Sequence, residues 1–460
     1  MVAKNEPLNI SSSIVERGLS VDFKKQSYTI LYGKEYWDAT PKETQIALRD
    51  NLALATTMHL PIVFDSPLIS YDTPRAILMP HFFENFVRDI PSCTEVDGTD
   101  TNRLMQQFFN TKYEFSKDPI NQPADTLVSG AERAIIGMSF GKDSLLTYAV
   151  AQELGLDPEI VYIVEESMTY EEKHKSALGK QWEKEFGKPM HILHHDTGKL
   201  RDYEHLGLPF SEFGWGLQTT EYALDMIPFA YKLNGRYLLF GNEQTASETY
   251  MDEKGEWTVY PCYDQSHEWT VQIDQITRRF SGGSIQTGSL IEPLMDMMVQ
   301  RTLVHRYPEI AKYQMSCFTE TEAGRDYRWC HSCSVCAKMY LLCAGSGMDP
   351  QEVGFKENML DGAEKIHHFT LFGGKSKLTY ANTETARNEQ LFAFYSAANK
   401  GAKGSLMDKF CESELHEEAK EREDELFKTY ISLYEPISVP PELKEDVMSI
   451  YREEIRSFEL

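Results

Sequence analysis

From about residue 130 the chain alternates short apolar runs with stretches of helical spacing. Glu132 to Met138, Glu159 to Val164, Met190 to Leu193 and Arg236 to Phe240 read as strands buried on both faces, being too continuously apolar for a sheet with one wet side. Between them lie helices Asp143 to Leu154, Tyr170 to Phe186 and Gln218 to Leu233. Gly155, Gly187 and Asn234-Gly235 stop them, residues that accept the left-handed backbone of a helix end. Strand and helix in alternation predict an α/β fold, a doubly wound parallel sheet with helices on both faces. Helices Glu268 to Phe280 and Asp296 to Arg306 complete it.

The flanks follow other patterns. Leu19 to Phe23 and Tyr28 to Tyr32 alternate like two strands around Lys24-Lys25-Gln26, which predicts a hairpin, while Pro41 to Thr57 and Phe82 to Val87 have helical spacing. Residues 1–125 therefore read as a mixed α+β N-terminal domain, linked through the proline-bearing stretch Ser116 to Ala124 to the α/β domain over 126–316. A cysteine-rich knuckle over 317–350 and a mostly helical region over 351–460 follow. In that last region His368 to Phe372 predicts a strand, Gly373-Gly374-Lys375 a turn, and Cys411 to Leu460 a charged, solvated helical end.

The first strand of the α/β domain ends in Ser139-Phe140-Gly141-Lys142-Asp143-Ser144 and turns directly into a helix. Such a turn aims free backbone N–H groups and the positive helix end at one point, and so predicts an anion site. The Walker phosphate loop is excluded. It needs four residues between its glycines and Ser or Thr after the lysine, whereas three separate Gly137 from Gly141 and Asp143 follows Lys142. Ligands bind parallel sheets at the carboxyl ends of strands, which brings Ser139, Glu165 and Asn242-Glu243 towards one site. Ser139, Phe140, Gly141, Lys142, Asp143, Ser144 and Glu165 are thus the candidate nucleotide-binding residues, and Lys142, Asp143 and Glu243 the candidate catalytic ones. Lys142 would neutralise phosphate charge. Asp143 reads as the helix N-cap, with indirect Mg2+ ligation as the alternative, and Glu243 as an orienter of Mg2+ or of a substrate amine. His194, His195, His267 and Cys262 are candidate bases.

Cys317, Cys330, Cys333 and Cys336 form Cys-x12-Cys-x2-Cys-x2-Cys, the spacing of a closed four-thiolate zinc site that contributes folding free energy rather than chemistry. His331 lies inside the knuckle as a substitute ligand, and an iron–sulfur cluster is the rival occupant. Cys343 sits in an apolar helical run and reads as core.

Composition narrows the partners. A net charge of −25 over 460 residues disfavours nucleic acid. Mean hydropathy is −0.44, and no apolar run approaches the roughly 20 residues of a membrane span. The start, Met1-Val2-Ala3-Lys4, lacks a signal-peptide core, which predicts a cytoplasmic protein acting on a small molecule, with homo-oligomerisation left open.

Ser139, Gly141, Asp143 and Ser144 resemble the Ser-Gly-Gly-x-Asp-Ser loop of the PP-loop ATP pyrophosphatases (adenine nucleotide alpha hydrolase-like, with a HUP-like domain), Phe140 replacing the first glycine. The loop combined with the knuckle resembles the 7-cyano-7-deazaguanine synthases. In order of marks the chain is closest to the UDP-N-acetylmuramoyl-L-alanyl-L-glutamate epimerase family: the loop, Gly241-Asn242-Glu243, Leu290-Ile291-Glu292-Pro293-Leu294, then Ser316-Cys317 and Trp329-Cys330-His331-Ser332-Cys333. It departs from that family at Tyr260 to Ser266, a stretch expected to face the substrate. The resemblance spans about residues 130 to 345. It implies ATP with Mg2+, adenylation of a substrate carboxylate with release of pyrophosphate and AMP, and an epimerised or amidated product. A nitrile-forming or tRNA-modifying enzyme, or a non-catalytic nucleotide-binding protein, are the alternatives.

Overall fold

The computed structural model describes residues 6–127, 131–316, 320–374 and 379–457. The apolar runs become strands of one ten-stranded sheet. The N-terminal region supplies β1 (Leu8–Val15), β2 (Gly18–Phe23), β3 (Gln26–Leu31), β4 (Leu68–Tyr71) and β5 (Lys112–Glu114). The α/β region supplies β6 (Ala131–Gly137), β7 (Asp157–Glu165), β8 (Met190–His195) and β9 (Gly235–Leu239); β10 (Tyr250–Met251) and β11 (Thr258–Val259) form a separate two-stranded ribbon, and β12 (Gln286–Gly288) returns to the main sheet. The order is β12-β9-β6-β7-β8-β3-β2-β1-β4-β5. Pairing is parallel from β12 to β8, antiparallel through the hairpin strands, and parallel again at β1-β4-β5. The α/β class expected from the sequence is present, and the sheet is mostly parallel.

Alternate residues of the central strands enter two different cores. Ala134 and Ile136 of β6 pack with Tyr237 and Leu239 of β9 on one face, Ile135 and Leu238 on the other. Burial on both faces is why these strands lack a polar alternation. From β6 the chain runs outward to β7 and β8, with helices Lys142–Glu153 and Thr169–Phe186 in the first core. It then returns past β6 to β9, with helices Gln218–Asp225 and Ile227–Leu233 in the second. The direction along the sheet reverses at β6 and the helices divide between the two cores, the kind of switch point at which a crevice opens at the carboxyl ends of strands.

Local chemistry explains the boundaries. The predicted hairpin forms, and Lys24 and Lys25 take φ of 50° and 69°, the paired left-handed turn that matches strand twist. The predicted helix Gln218 to Leu233 is broken at Met226, because Pro228 has no N–H to bond Leu224. The predicted strand His368 to Phe372 is instead two 3-10 turns, Ala363–His368 and Thr370–Phe372. Its alternation has another cause: Phe369 lies 5.2 Å from Phe394 of helix Glu384–Asn399, not against the sheet. Lys375 of the predicted turn lies outside the described residues. The charged C-terminal end forms helices Glu414–Glu421, Glu423–Tyr430 and Lys444–Arg456, whose Ala419, Leu426 and Tyr451 are buried in the first core. Among the described residues no helix is long and apolar enough to cross a membrane.

Candidate active site

The loop after β6 is built around an unusual residue. Phe140 has φ of 57°, a conformation that costs a side-chain-bearing residue roughly 1–2 kcal/mol. Its ring is fully buried, 6.1 Å from Trp182, and its carbonyl accepts from Met315 N at 2.7 Å. Phe140 therefore shapes the loop, and any nucleotide contact by it is through backbone. Ser144 Oγ accepts from Ser139 N at 3.3 Å and donates to the Gly141 carbonyl at 3.1 Å, while Ser139 Oγ accepts from Gly141 N at 3.2 Å. The two serines hold the turn open at the start of helix Lys142–Glu153.

Asp143 is not the cap. The N-cap position is Gly141, with no side-chain cap bond. The Asp143 carboxylate pairs with Lys142 and faces Glu243 and Asp296, ligand oxygens of all three lying within 4.8 Å of one another. Close approach makes this possible: a Cβ on Gly241 would sit 2.7 Å from the Asp143 carbonyl carbon. Two bonds lock the other partners. Gln244 N donates to the Leu294 carbonyl at 2.9 Å, and Asp296 N to Thr245 Oγ1 at 3.0 Å, tying the segment after β9 to helix Asp296–Arg306.

Two lysines offset much of the charge of this acidic cluster. Asp296 pairs with both Lys142 and Lys338, which hold its carboxyl below the usual range against burial. The Lys142 ammonium, disfavoured by burial, is kept charged by Asp143 and Asp296. Burial, and then Asp143, raise Glu243 well above its usual value. Three carboxylates in so small a space fit a hard, oxygen-seeking divalent ion such as Mg2+.

Two cavities meet at the loop. One, of about 540 Å³, is lined by Ser139, Gly141, Lys142, Asp143, Glu243 and Asp296, with Cys262 and Gln265 from the stretch expected to face substrate. The other, of about 570 Å³, is more apolar and runs over the ends of β6 and β7 past Met138, Ile163, Phe210 and Trp215. Ser139, Glu171, Lys175 and Gln218 line both. Glu165 lines the second cavity. Its Oε1 accepts from Tyr222 Oη at 2.6 Å, Gln218 Nε2 at 3.2 Å and Arg201 Nη2 at 3.3 Å, while its buried Oε2 has no hydrogen-bond partner among the described residues. Asn242, also expected at the site, turns inward to Thr270 at 2.9 Å.

The candidate bases do not gather at these cavities, Cys262 excepted. Burial, then Asp264, pushes the Cys262 thiol up, so it is not an anion. His195 is fully buried among Glu165, Glu221 and Asp225. His194 faces Glu166.

In the knuckle the Cys330, Cys333 and Cys336 sulfurs lie within 4.8 Å of one another, compatible with three thiolates each about 2.3 Å from one zinc ion. Cys317 lies outside the described residues. His331 is turned away, its Nε2 accepting from Lys356 N at 3.0 Å.

Sequence reasoning missed Asp296, Lys175 and Lys338. Asp296 had a weak signal, an acid opening a predicted helix after Leu290-Ile291-Glu292-Pro293-Leu294; the lysines had none, since only packing turns them inward. No family model matches this sequence, and no characterised protein matches it either.

Proposed function

We propose that this chain is an adenylating enzyme of the PP-loop type, with a HUP-like α/β domain, that cleaves ATP between its α- and β-phosphates and transfers AMP to a small-molecule carboxylate. The observation that carries this is the convergence of Asp143, Glu243 and Asp296 beside the loop, at the point where an apolar and a polar cavity join. The apolar cavity suits a nucleoside. The loop N–H groups and the Ser139 hydroxyl would hold the β- and γ-phosphates, with Lys142 neutralising the charge that develops on the departing pyrophosphate. Mg2+, held by Asp143, Glu243 and Asp296, would supply further stabilisation of that charge. In the step itself a carboxylate oxygen bonds to the α-phosphorus, and the bond from that phosphorus to the bridging oxygen breaks. The electron pair leaves with pyrophosphate. Among related outcomes, an epimerase of the muramoyl-peptide kind or an amide-forming ligase would each consume the resulting acyl-AMP.

Cys330, Cys333 and Cys336, joined by Cys317 from outside the described residues, would hold a structural zinc. The test is ATP–pyrophosphate exchange by the purified protein over a panel of small carboxylates. AMP and pyrophosphate are the expected products; ADP and phosphate would overturn the reading. Asp143→Asn should lower exchange by on the order of 10²-fold or more.

A further inference from the structure

The polar cavity is larger than a pyrophosphate group requires, and its far wall does not belong to the α/β region. Phe369, Thr370, Tyr380 and Gln390 close it. They are arranged, not incidental: Gln390 Nε2 donates to Thr370 Oγ1 at 2.9 Å, Gln390 Oε1 accepts from Leu371 N at 3.2 Å, and Tyr380 Oη donates to Glu389 Oε2 at 3.4 Å. Between this wall and the phosphate loop stands Lys338. It is carried by helix Ser334–Ser346, whose first turn contains Cys336 and is capped by the Cys333 sulfur, accepting from Cys336 N at 3.4 Å. The ammonium is fixed from two sides. It pairs with Asp296 and sits 4.8 Å from the centroid of the Tyr380 ring. An ammonium has three N–H donors. Asp296 takes one, and the ring face takes none as a conventional acceptor, so donors remain for a ligand in the cavity.

Building on the adenylation reading, we propose that Lys338 binds the carboxylate of the acceptor, in a subsite whose far wall is the C-terminal region. The acceptor class is a small polar carboxylic acid bearing further hydrogen-bonding groups, to match Thr370, Gln390 and Gln265. This position separates two cationic roles. Lys142, at the loop, faces the phosphates; Lys338, across Asp296, faces the acid that attacks the α-phosphorus. Asp296 spans both ammonium groups and so couples their spacing. The knuckle acquires a purpose beyond folding, since the metal-bearing turn sets the start of the helix that presents Lys338.

The experiment uses the full-length, metal-replete protein and the carboxylate that best supports ATP–pyrophosphate exchange in a panel of amino acids, N-acyl amino acids and dicarboxylic acids. Lys338→Met is expected to raise KM for that carboxylate on the order of 10- to 100-fold, the loss of one charge-assisted hydrogen bond. KM for ATP should stay within about twofold, and Lys338→Arg should recover part of the loss. Tyr380→Leu provides a second variant with a smaller rise in the same KM, should Lys338→Met not fold. A parallel rise in the KM for ATP, or an unchanged carboxylate KM in both variants, overturns the assignment while leaving adenylation intact. Absence of exchange in the unaltered protein overturns adenylation and this assignment with it.

Discussion

At the scale of single residues, two positions carry opposing demands. Phe140 takes a left-handed backbone that glycine would accept without cost, yet its ring fills the space beside Trp182. Deleting a buried phenylalanine costs about 3–5 kcal/mol. Both Phe140→Ala and Phe140→Gly should therefore destabilise the protein, but glycine by about 1 kcal/mol less, because it alone relieves the backbone. Urea midpoints of the two variants check this, and a glycine variant less stable than the alanine one contradicts it. The second position is Asp225. Among the described residues its Oδ2 has no hydrogen-bond donor, although His195 Nε2 lies 3.3 Å away. Burial first, with Glu221 and Glu165 adding and His195 opposing, pushes its carboxyl up to about 7 from 3.8. A pKa raised by folding stabilises fully below the unfolded value and loses that contribution as pH climbs through the folded one. His195 adds to the same slope. Burial works against its charge, but Glu165, Glu221 and Asp225 raise it to about 10 from 6.5. Stability should thus fall from about pH 4 to about pH 10, Asp225 acting between about 4 and 7 and His195 between about 6.5 and 10, and less steeply below pH 7 in Asp225→Asn. Equal slopes in urea titrations of the two proteins would contradict a titrating Asp225.

At the scale of elements, the strand–loop–helix unit was readable because its signals are local: a doubly apolar strand, small residues, then helical spacing. Its charges were not. Asp143 looks like a cap from its place at a helix start, and only β9 passing behind the loop, at Gly241, turns it towards Glu243. The knuckle is also local, and its consequence is testable. With the zinc proposed for the knuckle, Cys333→Ser should lower metal content and melting temperature, whereas Cys411→Ser, at an exposed position, should change neither. Metal content unchanged in Cys333→Ser would remove the knuckle from the metal site. The strand expected at His368 to Phe372 failed for a matching reason, since alternate burial against a helix imitates alternate burial in a sheet over so few residues.

At the scale of the whole molecule, the N-terminal region continues the sheet instead of standing apart from it. Ile30 and Leu31 of β3 pair with His195 and His194 of β8, and the second core draws on both sides of residue 125. Removing residues 1–125 would expose the β8 edge and that apolar face, so the truncated chain should be insoluble or aggregated by size-exclusion chromatography. A monodisperse, cooperatively unfolding product would contradict this. The C-terminal helices are likewise bound to the centre. Glu292 accepts from Ser438 N at 2.7 Å, and Tyr451 Oη donates to the Leu290 carbonyl at 3.0 Å.

By itself the sequence determined the α/β class, the loop after β6 and the thiolate spacing, because each depends on neighbours within a few turns of chain. Tertiary structure alone decided the rest. Asp296 and Lys338 enter the site through contacts between segments far apart in sequence, and no periodicity records which way a buried charge faces. Burying like charges together is tolerated only where lysines or a bound cation offset them, and that balance exists only once β6, β9, helix Asp296–Arg306 and helix Ser334–Ser346 are packed.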